Sequence, residues 1–371
     1  MSKRQTILAA VPLMVASAFF ARSSFSGEMI ELYHGARALG MGNAYTGLAD
    51  DEQALYMNPA GLALTQEARF HLLQTDFAAS GDIAAAYTAG TRSLSNLASG
   101  AGDLTDMVMG KNIYGRAQAT STFLMKNIAV GILLDNQIAV MTQNKALPRV
   151  NLGYMTTNGI QAGYGVSIFR HFKRRGEMRI GLAGKVMWRR GGYRVLPTMK
   201  LLNMSMNELN HITGSYGRGI GFDAGMLYVY KIMPKLHVQL GTAFTDIGDT
   251  NFTGVESSFG SGLPMPVKGN LSSGLAVVYN YGKTKVALSY DYRHILDDTD
   301  WRKKNHVGLM VSLPFVSLYG GINQTYYTYG AGVSLLGAEV VGTSYAEELG
   351  SHSFQNAERR YAVRMGYSLA L

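Results

Sequence analysis

From about residue 80 to the C-terminus, apolar and polar residues alternate along the chain with a period of two. In 235–244, Leu236, Val238, Leu240, Thr242 and Phe244 form one face, and Lys235, His237, Gln239, Gly241 and Ala243 the other. In 285–294, Val286, Leu288, Tyr290 and Tyr292 oppose Lys285, Ser289, Asp291 and Arg293. Residues 220–230 set Ile220, Phe222, Ala224 and Met226 against Gly221, Asp223 and Gly225. The last segment sets Tyr361, Val363, Met365, Tyr367 and Leu369 against Arg360, Arg364, Gly366 and Ser368. Successive side chains of a strand point to opposite faces, so each segment reads as a strand with one apolar and one polar face.

A soluble sandwich would also alternate, with its apolar face inside. Three features favour a membrane barrel. The segments run to roughly 10–14 residues, long for a sandwich and right for a tilted membrane strand. Their polar faces mix both charge signs with many glycines, as a crowded or wet lumen would. Tyrosine and tryptophan gather near strand ends, at Tyr228 and Tyr230, Tyr279 and Tyr281, Tyr290 and Tyr292, Tyr326 and Tyr327, and Trp188, where an aromatic girdle belongs.

Connection lengths count the strands. Short turns near 336, 314, 282–284, 233–234, 173–176 and 126–127 alternate with long loops at 346–358, 295–302, 248–269, 192–216, 141–158 and 93–114. The connection at 323–326 is a short member of the second set. Short periplasmic turns and long external loops predict an all-β, transmembrane antiparallel β-barrel of about fourteen strands (twelve to sixteen), the first at 83–92 and the last at 361–371. An even count leaves 69–77, although strand-like, outside the wall as part of a plug or an extra edge segment. Within the loops, 202–211 and the region 93–114 (Leu94, Leu97, Leu104, Met107, Met109) read as short amphipathic helices or as solvated loop.

Composition sharpens this picture. Charged residues are 16% of the 371, below the ~25% of soluble domains, while there are 44 glycines and 22 tyrosines. The absence of cysteine excludes disulfide scaffolds, thiolate zinc sites, iron–sulfur clusters and thiol catalysis. Lys3 and Arg4, an apolar stretch over 7–20, and Ser24-Phe25-Ser26 read as a secretory signal cut after Ser26. The expected organisation is therefore a signal at 1–26, a plug or hatch at 27–80, and the barrel at 81–371. Without the signal, 31 basic residues face 25 acidic ones, a net +6 that never gathers into a dense stripe. That argues against nucleic acid and fits contact with anionic lipid head groups.

Candidate chemistry is sparse. Gly219-x-Gly221-x-x-Ala224 matches a loosened dinucleotide fingerprint but lies inside an alternating strand with no helix after it. His237, His294 and His306 fall in strand patterns without a serine at supporting spacing. The expectation is no enzyme, no catalytic residues, no cofactor and no metal. Asp297-Asp298-Thr299-Asp300 could hold calcium through oxygen ligands, but such a cluster is more often a solvated loop tip. Lys173-Arg174-Arg175 and Arg302-Lys303-Lys304 read as solvated rims, the latter a candidate contact for lipopolysaccharide phosphates. Facing the lumen on the polar faces are Lys185, Asp223, His237, Gln239, Asp291, Arg293 and Arg364.

Between signal and barrel, Gly35-Ala-Arg37-Ala-Leu-Gly40-Met41-Gly42-Asn-Ala44 leads through Asp50-Asp51 to Asn58-Pro59-Ala60-Gly61-Leu62. This stretch resembles the head of outer-membrane barrels of the long-chain fatty-acid transporter (FadL) and PorV-like superfamily. The likeness is specific over 35–64 and architectural beyond, including Tyr345-Ala346-Glu347-Glu348-Leu349-Gly350; one departure is that the chain ends in Leu371, where such barrels often end in an aromatic residue. The resemblance implies a fourteen-stranded barrel with the N-terminal segment folded inside as a hatch carrying Gly40, Gly42, Asn58, Pro59, Ala60 and Gly61. The residues suit that place. Glycines allow close backbone packing, and Pro59 keeps Asn58 out of the helical region so that its amide can cap neighbouring backbone.

Two functions follow as expectations. One is passage or binding of a fatty-acid-like hydrophobic small molecule through a lumen occluded by the plug. The alternative is a structural barrel that forms homo-oligomers and organises lipid, or serves a secretion system. Expected partners are outer-membrane phospholipid and lipopolysaccharide, the hydrophobic ligand and copies of the chain itself, in the outer membrane of a Gram-negative bacterium.

Overall fold

The computed structural model describes residues 28–65, 67–83, 112–143, 149–169, 176–197, 215–254 and 263–371. Among these, one antiparallel sheet holds β1 (Arg69–Ser80), β2 (Asn112–Met125), β3 (Ile128–Gln143), β4 (Arg149–Phe169), β5 (Gly176–Pro197), β6 (Tyr216–Met233), β7 (Leu236–Thr245) and β8 (Phe252–Gly254). It continues through β9 (Asn270–Tyr281), β10 (Thr284–Tyr292), β11 (Asn305–Ser312), β12 (Val316–Asn323), β13 (Tyr326–Leu335), β14 (Ala338–Glu348) and β15 (Ala357–Ala370). β8 is three residues long and only extends the end of β6, while β7 pairs directly with β9. The other fourteen strands each pair with their neighbours in the chain, and β1 with β15 closes the ring. A closed ring leaves no strand edge unpaired.

The two faces are inverted relative to a soluble barrel. Ile220, Phe222, Leu240, Leu288, Leu318 and Tyr361 are exposed outside, whereas Lys185, Asp223, Gln239, Asp291 and Arg364 are buried inside. A continuous exposed apolar belt of this extent is a bilayer-facing surface. No helix among the described residues is long and apolar enough to cross a membrane. The wall is lopsided: β4 and β5 run to 21 and 22 residues, β11 and β12 to only 8 each.

Residues 28–65 run inside the ring, with α1 (Ala36–Gly40), α2 (Ala54–Met57) and a 3-10 helix at Pro59–Leu64. Helices this short do not persist alone, so the surrounding wall holds them.

The structure corrects the strand reading. The segment 69–77, set outside the wall on parity, is the core of β1, paired with both β2 and β15. Barrel therefore begins at Arg69 rather than after residue 80. Of the expected first strand at 83–92, Ile83 is not in a strand and 84–92 lies outside the described residues, while β1 pairs directly with β2. Of the loop expected at 141–158, residues 141–143 and 149–158 belong to β3 and β4, and of the loop expected at 192–216, residues 192–197 belong to β5 and Tyr216 opens β6, while 144–148 and 198–214 lie outside the described residues. The helices expected at 202–211 and 93–114 fall outside the described residues, except that 112–114 open β2.

Candidate functional site

The inner segment is held on one side by a ladder of polar side chains. Thr328 takes the Gly42 N–H (3.0 Å) and donates to Gly40 O (3.0 Å), while His306 Nδ1 meets Gly42 O at 2.8 Å. Ser289 donates to Ala44 O and Arg293 Nη1 to Asn43 O. The Asp291 carboxylate, fully buried, accepts the backbone N–H groups of Tyr45 (2.7 Å), Thr46 (2.5 Å) and Gly47 (3.4 Å). Gln239 donates to Leu48 O and Gly47 O and accepts from the half-buried His237. Turn backbone buried in a lumen must find partners, and β7, β10, β11, β13 and Arg293 just past β10 supply them.

Against β5 and β6 the fit is steric. A Cβ at Gly181 of β5 would lie 2.1 Å from Pro59 C, and one at Gly225 of β6 would lie 2.1 Å from Asn58 Oδ1. Only glycine lets the wall approach the 3-10 helix so closely. Asn58, extended at φ −153°, accepts the Ala60 N–H and donates to Thr46 O at 2.8 Å, tying the two halves of the segment together. Gly40 packs on Thr343 and Tyr319, Gly42 takes φ +65° against the carbonyls of Val307 and Ile322, and Gly61 lies against Ala49 O.

Buried charges fasten the rest. Arg364 meets Asp76 through Nε (2.9 Å) and Nη2 (3.0 Å), Glu52 through Nη1 (3.2 Å) and the Tyr33 hydroxyl (2.7 Å). Arg37 pairs with Asp50 and Asp51, and Asp50 with Lys285. Lys185 lies between Asp223 (2.8 Å) and Asp246 (2.9 Å), within the wall and its loop. Lys303 and Lys304, expected on a solvated rim, are buried: Lys303 donates to the carbonyls of Glu348 and Gly350, Lys304 to Asp297 O. Of the aspartate cluster, Asp297 binds His294 and Asp300 accepts from Arg302 N and Ser353 N. Lys173-Arg174-Arg175 lies outside the described residues.

Two cavities of opposite character flank the segment. At the long-loop end, about 360 Å³ is lined by Met29, Ile30, Leu32, Met155, Met265 and Val267, with Arg189, His294 and Asp297. At the short-turn end, about 370 Å³ is lined by Arg37, Asp50, Glu52, Lys285, Glu339 and Arg364. A smaller space of about 30 Å³ shares Ile30, Leu32 and Val267 with the first and reaches Glu31, Tyr56 and Arg293. A strap at 28–34 floors the apolar cavity. Glu28 pairs with Arg360, Glu31 with Arg293 and His294, and Tyr33 stacks on Tyr56 at 4.6 Å.

His294 sits just beyond β10 at φ +53° rather than within a strand. Burial alone would lower its pKa, but carboxylates at both ring nitrogens, Asp297 and Glu31, outweigh burial and hold it above the ordinary 6.5. Donation to both requires the imidazolium. Burial, reinforced by Arg116, puts His34 well below 6.5. Glu31, which burial would raise, is held far below 4.5 by Arg293 and His294. The raised His294 contributes stability that is complete below about pH 6.5 and lost as pH rises through its folded value. The depressed His34 and Glu31 contribute stability present above about 6.5 and 4.5 and lost as pH falls. The strap is therefore best protected near pH 6.5 and loosens on either side. Hydrogen exchange of 29–34, corrected for intrinsic rates, checks this between pH 5 and 8; a flat profile would contradict it.

Sequence reasoning did not single out Glu31, Glu52, Asp76 or Arg116, and it named Arg37 only within the hatch motif and Arg360 only on the polar face of the last strand. Arg116 binds Asp135 at 2.6 Å and donates to Leu32 O, and Arg360 lies 3.5 Å over the Tyr114 ring. Arg360 carried a usable signal, since it shares the polar face of β15 with Arg364.

No protein-family model and no curated protein matches the chain. Among solved structures, it is similar to the Ralstonia pickettii toluene transporter TbuX, with TM-score 0.48 and 9% identity over 91% of this chain and 98% of that one. The Pseudomonas putida toluene transporter TodX gives TM-score 0.46 and 12% identity over 92% and 98%; the CymD monoaromatic hydrocarbon channel gives 0.43 and 12% over 91% and 97%.

Proposed function

We propose that the protein is an outer-membrane barrel of a Gram-negative bacterium that binds and passes hydrophobic small molecules, fatty-acid-like in character, with the inner segment as a plug occluding its lumen. The apolar cavity at the long-loop end carries this reading. The inner segment packs its own apolar side chains, such as Leu48, Leu55 and Leu62, against the wall and still leaves this chamber unfilled, and concave apolar sites with a few polar groups are where small ligands bind. Long loops then face outward and short turns the periplasm, in keeping with barrels of this kind. Phospholipid and lipopolysaccharide surround the apolar belt.

A second reading, a sealed structural barrel working as a homo-oligomer or as an accessory of secretion, draws support from how firmly the segment is fixed. Asp291 holds it by hydrogen bonds and the Gly181–Gly225 wall by close packing. Native mass spectrometry from mild detergent separates the two. A monomer retaining a fatty-acid-sized hydrophobe is the expected result; a ring of several copies retaining phospholipid and no such ligand would overturn transport in favour of the structural role.

A further inference from the structure

Glu31 is a carboxylate placed on the strap where a ligand's carboxylate would be. It receives Arg293 Nη2 and His294 Nε2, each at 2.9 Å, and Asn43 Nδ2 at 3.2 Å. Its sequence neighbours Ile30 and Leu32 line both the apolar cavity and the small space that reaches Arg293, so cavity and cation are continuous. Arg293 is buried and its Nε has no partner, as does His34 Nδ1 close by, leaving donor capacity that Glu31 does not use.

We infer that Arg293 and His294 form an anion site filled by the chain's own Glu31, which makes the strap a tethered ligand displaced by an amphiphile that brings its own carboxylate. This rests on the reading of the apolar cavity as a hydrophobe site. The selectivity comes from charge. Withdrawing Glu31 alone would leave a buried guanidinium unpaired, which is strongly unfavourable. Exchange for another carboxylate keeps Arg293 paired, while the alkyl chain lies among Met29, Met155 and Met265. A neutral hydrophobe of equal size fills the cavity but leaves Glu31 in place. Strap release is thus coupled to the charge of the ligand and not to its apolar surface. Because Glu31 is always present, it also reduces apparent affinity for a carboxylate in proportion to the fraction of time the strap is open.

The absence of cysteine makes the test direct. In Ile30→Cys, labelling by a bulky maleimide is followed with octanoate and with octanol at matched concentrations, at fixed pH in nanodiscs. Octanoate should accelerate labelling several-fold and octanol should not. Adding Glu31→Gln, which preserves shape, should give fast labelling without ligand and no further response. By calorimetry, Glu31→Gln should bind octanoate on the order of tenfold tighter than the unsubstituted chain, as expected if the strap is open about a tenth of the time. Octanol should bind both alike. Equal acceleration by the two ligands, or no effect of Glu31→Gln on labelling and affinity, overturns the tethered-ligand inference while leaving the cavity reading intact. Failure of both ligands to bind either protein overturns both.

Discussion

Deleting residues 35–62 is expected to turn a barrel that carries little current into an open, water-filled pore, with a sharp rise in single-channel conductance in planar bilayers. The wall does not need the segment to close. Its fourteen strands pair with one another around the whole ring, β1 with β15 included, so every ladder survives the deletion. Inward groups that lose partners, chiefly Asp291, Arg293 and Arg364, exchange backbone amides and carboxylates for water. That exchange is tolerable in a hydrated lumen. Circular dichroism with full strand content establishes that the shortened chain has folded. Conductance unchanged in such a folded protein would mean that this segment is not what blocks the lumen, and the plug reading would be lost.

The wall was legible because period two is enforced wherever lipid lies outside and polar groups lie inside. Leu236–Thr245 and Ala357–Ala370 show it without interruption. β1, strand-like in sequence, is excluded by parity alone once 83–92 is taken as the first strand, and it also carries a local irregularity. His71 and Gln74 both face inward, and the intervening Leu72 and Leu73 are both exposed. This bulge shifts the register against β2 and β15 between 71 and 74 and breaks the alternation that identifies a strand. The count of fourteen survived because a segment beyond the described β1 had been counted in its place.

The site was legible in its parts and not in its assembly. Lys185, Asp223, Gln239, Asp291, Arg293 and Arg364 all lie on polar faces that alternation alone defines. Which of them touch the inner segment depends on where that segment threads, and a period of two holds no information about that. Asp291 binding three amides of 45–47 and Lys185 bound only within wall and loop look alike in sequence. The glycines at 181 and 225 were hidden by abundance, because 44 glycines are spread along the chain and only contact with Asn58 and Pro59 distinguishes these two.

Arg364→Met should destabilise the folded barrel by about 3–5 kcal/mol, the usual cost of removing one partner from a buried ionic cluster. Arg364 is 1% exposed and lies on β15 at the seam with β1. Its fork holds Asp76 across that seam, while Nη1 and Nη2 reach Glu52 and Tyr33 of the inner segment. One guanidinium therefore fastens the closure of the ring to the contents of the lumen. Methionine fills much of the volume but leaves two carboxylates buried without their cation, and most of the cost is that penalty rather than the worth of the pair. A combined variant distinguishes the two. Arg364→Met with Asp76→Leu and Glu52→Gln removes the charges together and should recover most of the loss, since apolar replacements of a whole buried cluster are often neutral. Urea unfolding of the barrel in lipid vesicles reads both. If Arg364→Met alone costs less than about 1 kcal/mol, the range of an exposed pair, then water reaches Asp76 and Glu52 from the short-turn cavity, and the seam is held by its backbone ladder without help from this cluster.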